Sequence, residues 1–189
     1  MGNSHHKHHH GKVPYLESLE RRKAFSPEQM LEMIPLKKTD TILDFGAGTG
    51  YFTIPMAKGT EGNVYALDID ATMLDMISKK ALDEQLTNII PSSSIEGLSL
   101  ASGTIDIIIA FLVLHEIKPL APLLQEMRSV LKKEGYLICL ELEAKENSHK
   151  APRITLEEME EKMKATGFQV MERFFPTESL YLLVAKKTK

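Results

Sequence analysis

The stretch Leu43-Asp44-Phe45-Gly46-Ala47-Gly48-Thr49-Gly50-Tyr51 decides how this chain is read. It overlaps the apolar run Thr41-Ile42-Leu43-Asp44-Phe45, which has the length and composition of a buried strand, and it runs into a helical pattern from Tyr51 to Lys58. Glycines at a strand-to-helix junction permit a tight turn and let a ligand touch the backbone. The helix start adds N–H groups and a partial positive charge, both suited to an anion. Two ligand classes use such a turn. A dinucleotide fingerprint has glycine at its first, third and sixth positions. Here the sixth position is Tyr51, whose side chain blocks the approach of a pyrophosphate, and glycine stands at the fifth. Asp44, two residues before the first glycine, disfavours a pyrophosphate and suits a ligand that carries an ammonium group.

A second acid sharpens this reading. Ala66-Leu67-Asp68-Ile69-Asp70 closes the next apolar run, Asn63 to Asp68, and Asp68 lies 18 residues after Gly50. A carboxylate at that strand end can accept hydrogen bonds from both hydroxyls of a ribose.

Outward from this unit, strands and helices alternate. Ser26, Pro27 and Gln29 form a helix start with a capping box, and Met30, Met33 and Ile34 point inward. Ala71 to Glu84 is helical, with Met73, Leu74, Ile77 and Leu82 near a 3.6-residue rhythm. Asn88 to Pro91 and Ile105 to Leu112 read as strands, Pro119 to Lys132 as a helix, Gly135 as a turn and Tyr136 to Leu142 as a strand. Thr155 with Glu158 caps a helix that Gly167 closes. Phe168 to Phe175 and Leu180 to Lys186 are two strands with no helix between them, joined at Pro176, so they must form an antiparallel hairpin. The expected fold is α/β: a doubly wound, seven-stranded, mostly parallel sheet with helices on both faces and a C-terminal antiparallel hairpin. Such sheets bind ligands outside the carboxyl ends of their strands, where the strand order reverses.

The 189 residues suit one domain, expected over 13–189, and hydrophobic and charged shares of 43% and 26% place it among globular chains. Residues 1–12, with His5, His6, His8, His9 and His10 around Lys7, read as a disordered tail or tag. A net charge of −3 gives no sign of a nucleic-acid-binding face. No apolar run approaches the ~20 residues needed to span a bilayer, no signal core is visible, and the single Cys139 cannot form an internal disulfide, so a cytoplasmic chain is expected.

The glycine loop, the preceding acid and the second acid together resemble the class I (Rossmann-like) S-adenosylmethionine-dependent methyltransferases. The resemblance covers about residues 26–187, and Gly103-Thr104-Ile105-Asp106, Leu131-Lys132-Lys133-Glu134-Gly135-Tyr136 and the terminal hairpin extend it. It implies that Asp44 orients the ammonium of the cofactor's methionine part and that Gly46, Ala47, Gly48 and Gly50 form its cradle. Asp68 would hold the ribose, with Ile69 and Met73 flanking the adenine and Ser94 and Ile95 at its edge. Many members have Asp where Ser94 stands here. Ala110 and Phe111, at the end of the fourth strand, would face the cofactor, which leaves as S-adenosylhomocysteine.

After Ala110-Phe111-Leu112-Val113-Leu114 come His115 and Glu116, the leading candidates for a base or an acceptor-orienting group. Tyr15, Leu16, Arg21 and Arg22 are candidates for a lid, and His149 and Arg153 for acceptor contacts. Ala110-Phe111-Leu112-Val113 lacks the Asn or Asp followed by two prolines of amino-methylating enzymes, and one cysteine argues against arsenite methylation. No metal site is expected, a small-molecule acceptor is favoured, and the oligomeric state stays open. The competing reading is a non-catalytic S-adenosylmethionine sensor; an NAD-dependent oxidoreductase is disfavoured by Tyr51 and Asp44.

Overall fold

The computed structural model describes residues 26–94, 100–144 and 153–188. In chain order these form α1 (Pro27–Glu32), β1 (Ile42–Phe45), α2 (Thr53–Gly59), β2 (Val64–Leu67), α3 (Ala71–Asp83), β3 (Ile89–Ser92), β4 (Ile105–Phe111), α4 (Leu120–Val130), β5 (Leu131–Leu142), α5 (Leu156–Ala165), β6 (Phe168–Thr177) and β7 (Leu180–Lys187), with one 3₁₀ turn at Leu114–Glu116. The seven strands form a single sheet in the order β3-β2-β1-β4-β5-β7-β6. β1 to β5 pair in parallel, and β7 lies antiparallel between β5 and β6. The expected doubly wound sheet with its terminal hairpin is therefore present.

Alternation explains the two cores. Successive strand residues point to opposite faces, so Leu43, Phe45, Ile108, Ala110 and Cys139 pack on one side against Leu124 and Met127 of α4 and Met159 and Met163 of α5. Ile42, Ile107, Ile109, Phe111 and Ile138 pack on the other against Met30 of α1 and Phe52 and Met56 near α2. All four β1 residues are buried, as a strand covered on both faces must be.

The helix ends follow their local chemistry. Ser26 and Thr155 each complete a capping box, with Gln29 and Glu158 respectively. Asp70 caps α3 by accepting from the Thr72 N–H at 2.9 Å. Most boundaries move by one or two residues from the sequence reading, and two places change in kind. The hairpin turn lies at Glu178–Ser179, and Pro176 stands inside β6. That strand is the sheet edge, and its register shifts between Phe174 and Thr177, so a missing N–H is tolerated there. β5 begins at Leu131 opposite Ile105, and its register then jumps to Tyr136 opposite Ile107, throwing residues 132–135 out of the ladder.

Ile95, the proposed lid residues 15–22, His149 and the tail 1–12 lie outside the described residues. Among the described residues, no helix is long and apolar enough to cross a membrane, and no cluster of His, Cys, Asp and Glu is placed to hold a metal ion.

Candidate active site

The strand order reverses between β1 and β4, and a cleft of about 420 Å³ opens there, at the carboxyl ends of β1, β2 and β4. The glycine turn forms its floor. Gly46, Gly48 and Gly50 have φ of 78°, 53° and 83°, in the left-handed region that side chains resist. The turn hangs from β2: the Gly46 and Ala47 N–H groups donate to the Leu67 carbonyl at 2.8 and 2.9 Å. Asp68 then stitches both sides, accepting from the Gly48 N–H at 2.8 Å on Oδ2 and from the Asp70 N–H at 2.9 Å on Oδ1. Each oxygen keeps lone-pair capacity for a second donor.

Asp44 is buried at the end of β1, where its Oδ2 accepts from the Thr53 hydroxyl at 2.6 Å. Thr49, a further wall residue, is buried, and its hydroxyl has no hydrogen-bond partner among the described residues. Phe52 and the segment that ends β4 add an apolar wall: Phe52, Phe111, Leu112, Val113 and Ile117 also line the cleft. Phe52 and Phe111 meet edge to face at 4.6 Å. The glycine turn and this wall approach closely at Gly46, where a Cβ would lie 2.7 Å from Val113 Cγ2.

Asp44, Gly46, Ala47, Gly48, Asp68, Ile69, Met73, Phe111 and Glu116 all border this cleft. Ile69 is 86% exposed and Met73 is buried, so one projects over the mouth while the other backs the wall. The structure sets the other named residues apart. Gly50 borders a second hollow of about 380 Å³ between α1, α2 and α3, and a Cβ there would meet Ile77 Cγ1 at 2.9 Å. Its freedom serves the close packing of α3. Ala110 is fully buried within β4, beneath the cleft. Ser94 is engaged with Ser92, whose hydroxyl donates to the Ser94 carbonyl at 2.9 Å.

His115 sits in the 3₁₀ turn between the wall residues Val113 and Glu116 and does not itself border the cleft. Its Nδ1 is 2.7 Å from Oε2 of Glu141, and its Nε2 is 3.9 Å from Oε1 of Glu116. Glu141, buried in β5, also accepts from the Leu114 N–H at 2.8 Å and the His115 N–H at 3.3 Å on Oε1. The hydrogen bond to Glu141 holds the His115 imidazole above its ordinary pKa, against the opposing effect of burial. Burial pushes the neighbouring Cys139 thiol up, leaving it un-ionised in the core. Glu141 escaped the sequence reading, although one signal was visible. It is the single charge in Leu137-Ile138-Cys139-Leu140-Glu141-Leu142, a run destined for burial on both faces.

Fold, glycine turn and paired acids define a Rossmann-like class of cofactor-binding protein, and comparison with known proteins narrows it. Residues 43–139 match the family described as a methyltransferase domain. The demethylmenaquinone methyltransferase of Bacillus mycoides is 32% identical over 128 residues, 66% of this chain and 53% of that protein. The ribosomal protein L11 methyltransferase of Pelobacter propionicus is 28% identical over 103 residues, 54% of this chain and 33% of that one. A SAM-dependent methyltransferase from Aquifex aeolicus has the same fold, with a TM-score of 0.83, 23% identity, and coverage of 94% of this chain and 98% of its own. The chain spans about half the length of the demethylmenaquinone methyltransferases it matches. The chain belongs to the methyltransferase-domain family, within the class I S-adenosylmethionine-dependent methyltransferases.

The cleft fits that family's cofactor. It combines a backbone cradle at Gly46 and Gly48, an unpartnered buried hydroxyl at Thr49, and carboxylates at Asp44 and Asp68. A ligand with an ammonium, a carboxylate and a ribose finds a complementary group for each.

Proposed function

We propose that this chain methylates a small molecule, with S-adenosylmethionine held on the polar side of the cleft and the acceptor on the apolar side. The observation that carries this reading is that one cleft is lined both by Asp44, Gly46, Gly48 and Asp68 and by the apolar Phe52, Phe111, Leu112, Val113 and Ile117.

Asp44 and the turn at Gly46, Ala47 and Gly48 would hold the methionine part, Asp68 the ribose, and Ile69 and Met73 the adenine, with Ser94 and Ile95 towards its edge. Gly50 supports the cradle through α3. When bound, the cofactor supplies a methyl group on a sulfonium that is already activated for in-line displacement. The protein's task is then alignment and exclusion of water. The apolar side positions an acceptor, and Ala110 and Phe111 set the depth of the cleft. His115 and Glu116 stand on the acceptor side, where a proton is removed if the acceptor has one to lose.

The relatives include proteins named for small-molecule and for protein acceptors. The apolar wall and the net charge of −3 favour a small molecule over a nucleic acid. We place the reaction in the cytoplasm, in a single domain over 13–189. Calorimetric titration with S-adenosylmethionine, S-adenosylhomocysteine and NADH tests the cofactor: the first two bind and the third does not. Conversion of S-adenosylmethionine to S-adenosylhomocysteine is then followed with phenols, hydroquinones, amines and thiols, with demethylated quinols at the head of the series. Binding without turnover on any of them would favour the sensor reading instead.

A further inference from the structure

Three hydrogen bonds end on the buried Glu141 carboxylate, and all three come from one short stretch, Leu114 and His115. Oε1 takes the backbone N–H groups of Leu114 and His115, and Oε2 takes the His115 ring at Nδ1. The carboxylate thereby fixes both the 3₁₀ turn and the rotation of the imidazole. If Nδ1 donates to Glu141, the neutral ring has its lone pair at Nε2. That atom is turned towards Glu116, a wall residue of the cleft. We propose that Glu141 is a positioning residue for proton removal: it holds His115 with Nε2 bare and facing the cleft wall, ready to take the proton of a hydroxyl-bearing acceptor.

The inference rests on the methyltransferase reading and deepens it by naming an acceptor class, phenols or hydroquinones. In the step, the acceptor's O–H bond breaks and its electron pair stays on oxygen, which becomes the nucleophile. An Nε2–H bond forms on His115, and the imidazolium is balanced by the Glu141 carboxylate until the proton passes to solvent. Three charged groups bear on the ring: Glu141 from β5 and Glu116 from its own turn favour the imidazolium, while Arg153, ahead of α5, opposes it. The arrangement parallels the known logic in which a buried carboxylate sets the tautomer of a histidine base.

Glu141→Gln tests this. The amide oxygen can still accept from the Leu114 and His115 N–H groups, but its NH₂ now faces Nδ1. Nδ1 must become the acceptor, so Nε2 carries the hydrogen and ceases to be a base. The readout that needs no acceptor is ¹⁵N NMR of the imidazoles in the full chain, with the His115 signals assigned by their absence in His115→Asn. Wild type should show the Nδ1–H tautomer at alkaline pH and a titration midpoint above that of an ordinary histidine. In Glu141→Gln the tautomer should switch and the midpoint fall by about one pH unit or more. S-adenosylmethionine affinity should stay within about twofold, because Glu141 does not border the cleft and the amide still accepts from the Leu114 and His115 N–H groups, while turnover of a phenol or hydroquinone probe should drop by roughly 10²- to 10⁴-fold. An Nε2–H tautomer in wild type, or an unchanged one in the variant, overturns the proposal. So does a loss of cofactor affinity that matches the loss of turnover, or wild-type turnover confined to probes without an acidic proton or absent on every hydroxyl probe. Failure of wild type to bind S-adenosylmethionine would instead sink the methyltransferase reading, and the tautomer would still judge the pair.

Discussion

The polar and apolar sides of the cleft are held in place differently. The polar side is fixed within the contiguous run β1–α2–β2–α3: the Gly46 N–H reaches the Leu67 carbonyl across 21 residues, the Gly48 N–H reaches Asp68 across 20, and Lys80 of α3 reaches back to the Thr49 carbonyl across 31. The apolar side depends on a carboxylate from the next strand, Glu141, which reaches back 26 and 27 residues to His115 and Leu114. One side is a closed local motif that a cofactor shared by many enzymes can use unchanged. The other is a wall held by a separate strand, which suits a surface that must fit one acceptor.

The largest expected effect comes from the place where the sides touch. Gly46→Val puts a branched side chain at φ 78° and a Cβ 2.7 Å from Val113 Cγ2. Backbone strain of roughly 1–3 kcal/mol and overpacking of roughly 1–3 kcal/mol should add, so calorimetry should detect no cofactor binding and the denaturant midpoint should fall. Normal stability and affinity in this variant would mean that the sides are not joined there.

Asp68→Ala comes next. It removes the proposed ribose contact and the bonds from the Gly48 and Asp70 N–H groups, each a bond to a charged group worth roughly 1.5–3 kcal/mol. S-adenosylmethionine affinity should fall by about 10- to 100-fold. Asp68→Asn, which keeps one acceptor oxygen, should lose less; equal losses would show that the turn stands without these bonds.

On the acceptor side the effect depends on pH. The folded state raises the His115 pKa from the ordinary 6.5, chiefly through the hydrogen bond to Glu141. The protonated pair therefore contributes its full stabilisation below the ordinary value and loses it as pH rises through the raised folded one. Denaturant melts of wild type and His115→Asn should differ more at about pH 6 than at about pH 9. A gap that widens with pH would contradict the pairing.

The smallest effect belongs far from the cleft. Gln85 has φ 58° just past α3, where its N–H and that of Leu86 return to the Leu82 and Ala81 carbonyls. Gln85→Gly should stabilise the chain by about 1 kcal/mol, read from thermal melts, and leave cofactor affinity untouched.

The same contrast governs what could be read from sequence. The turn at 46–50, Asp44, Asp68 and the alternation of strands and helices were legible because each rests on neighbours in the chain. The misplacements have local physical reasons too. Pro176 signals a turn in isolation, yet an edge strand with a shifted register accommodates it. Gly50 belongs to the same motif as Gly46 and Gly48, but only the packed structure shows Ile77 against it. His115 could be named as a candidate without its partner, since nothing near it in sequence says that Glu141 lies opposite. The walls at Phe52, Val113 and Ile117 likewise depend on how two distant segments converge.

The position of β7 has a further consequence, for the order in which the protein can be made. This strand is synthesised after every element it joins, yet it sits between β5 and β6 and buries Leu182, Leu183, Val184 and Ala185 at the middle of that half of the sheet. A nascent chain halted before residue 180 would hold the complete cofactor cradle while the inner edge of β5, with Glu141 on it, waited for its antiparallel partner. Vectorial synthesis thus separates the two regions in time: every residue of the cradle has emerged early, whereas the strand that carries Glu141 completes its own pairing only when β7 is threaded into place.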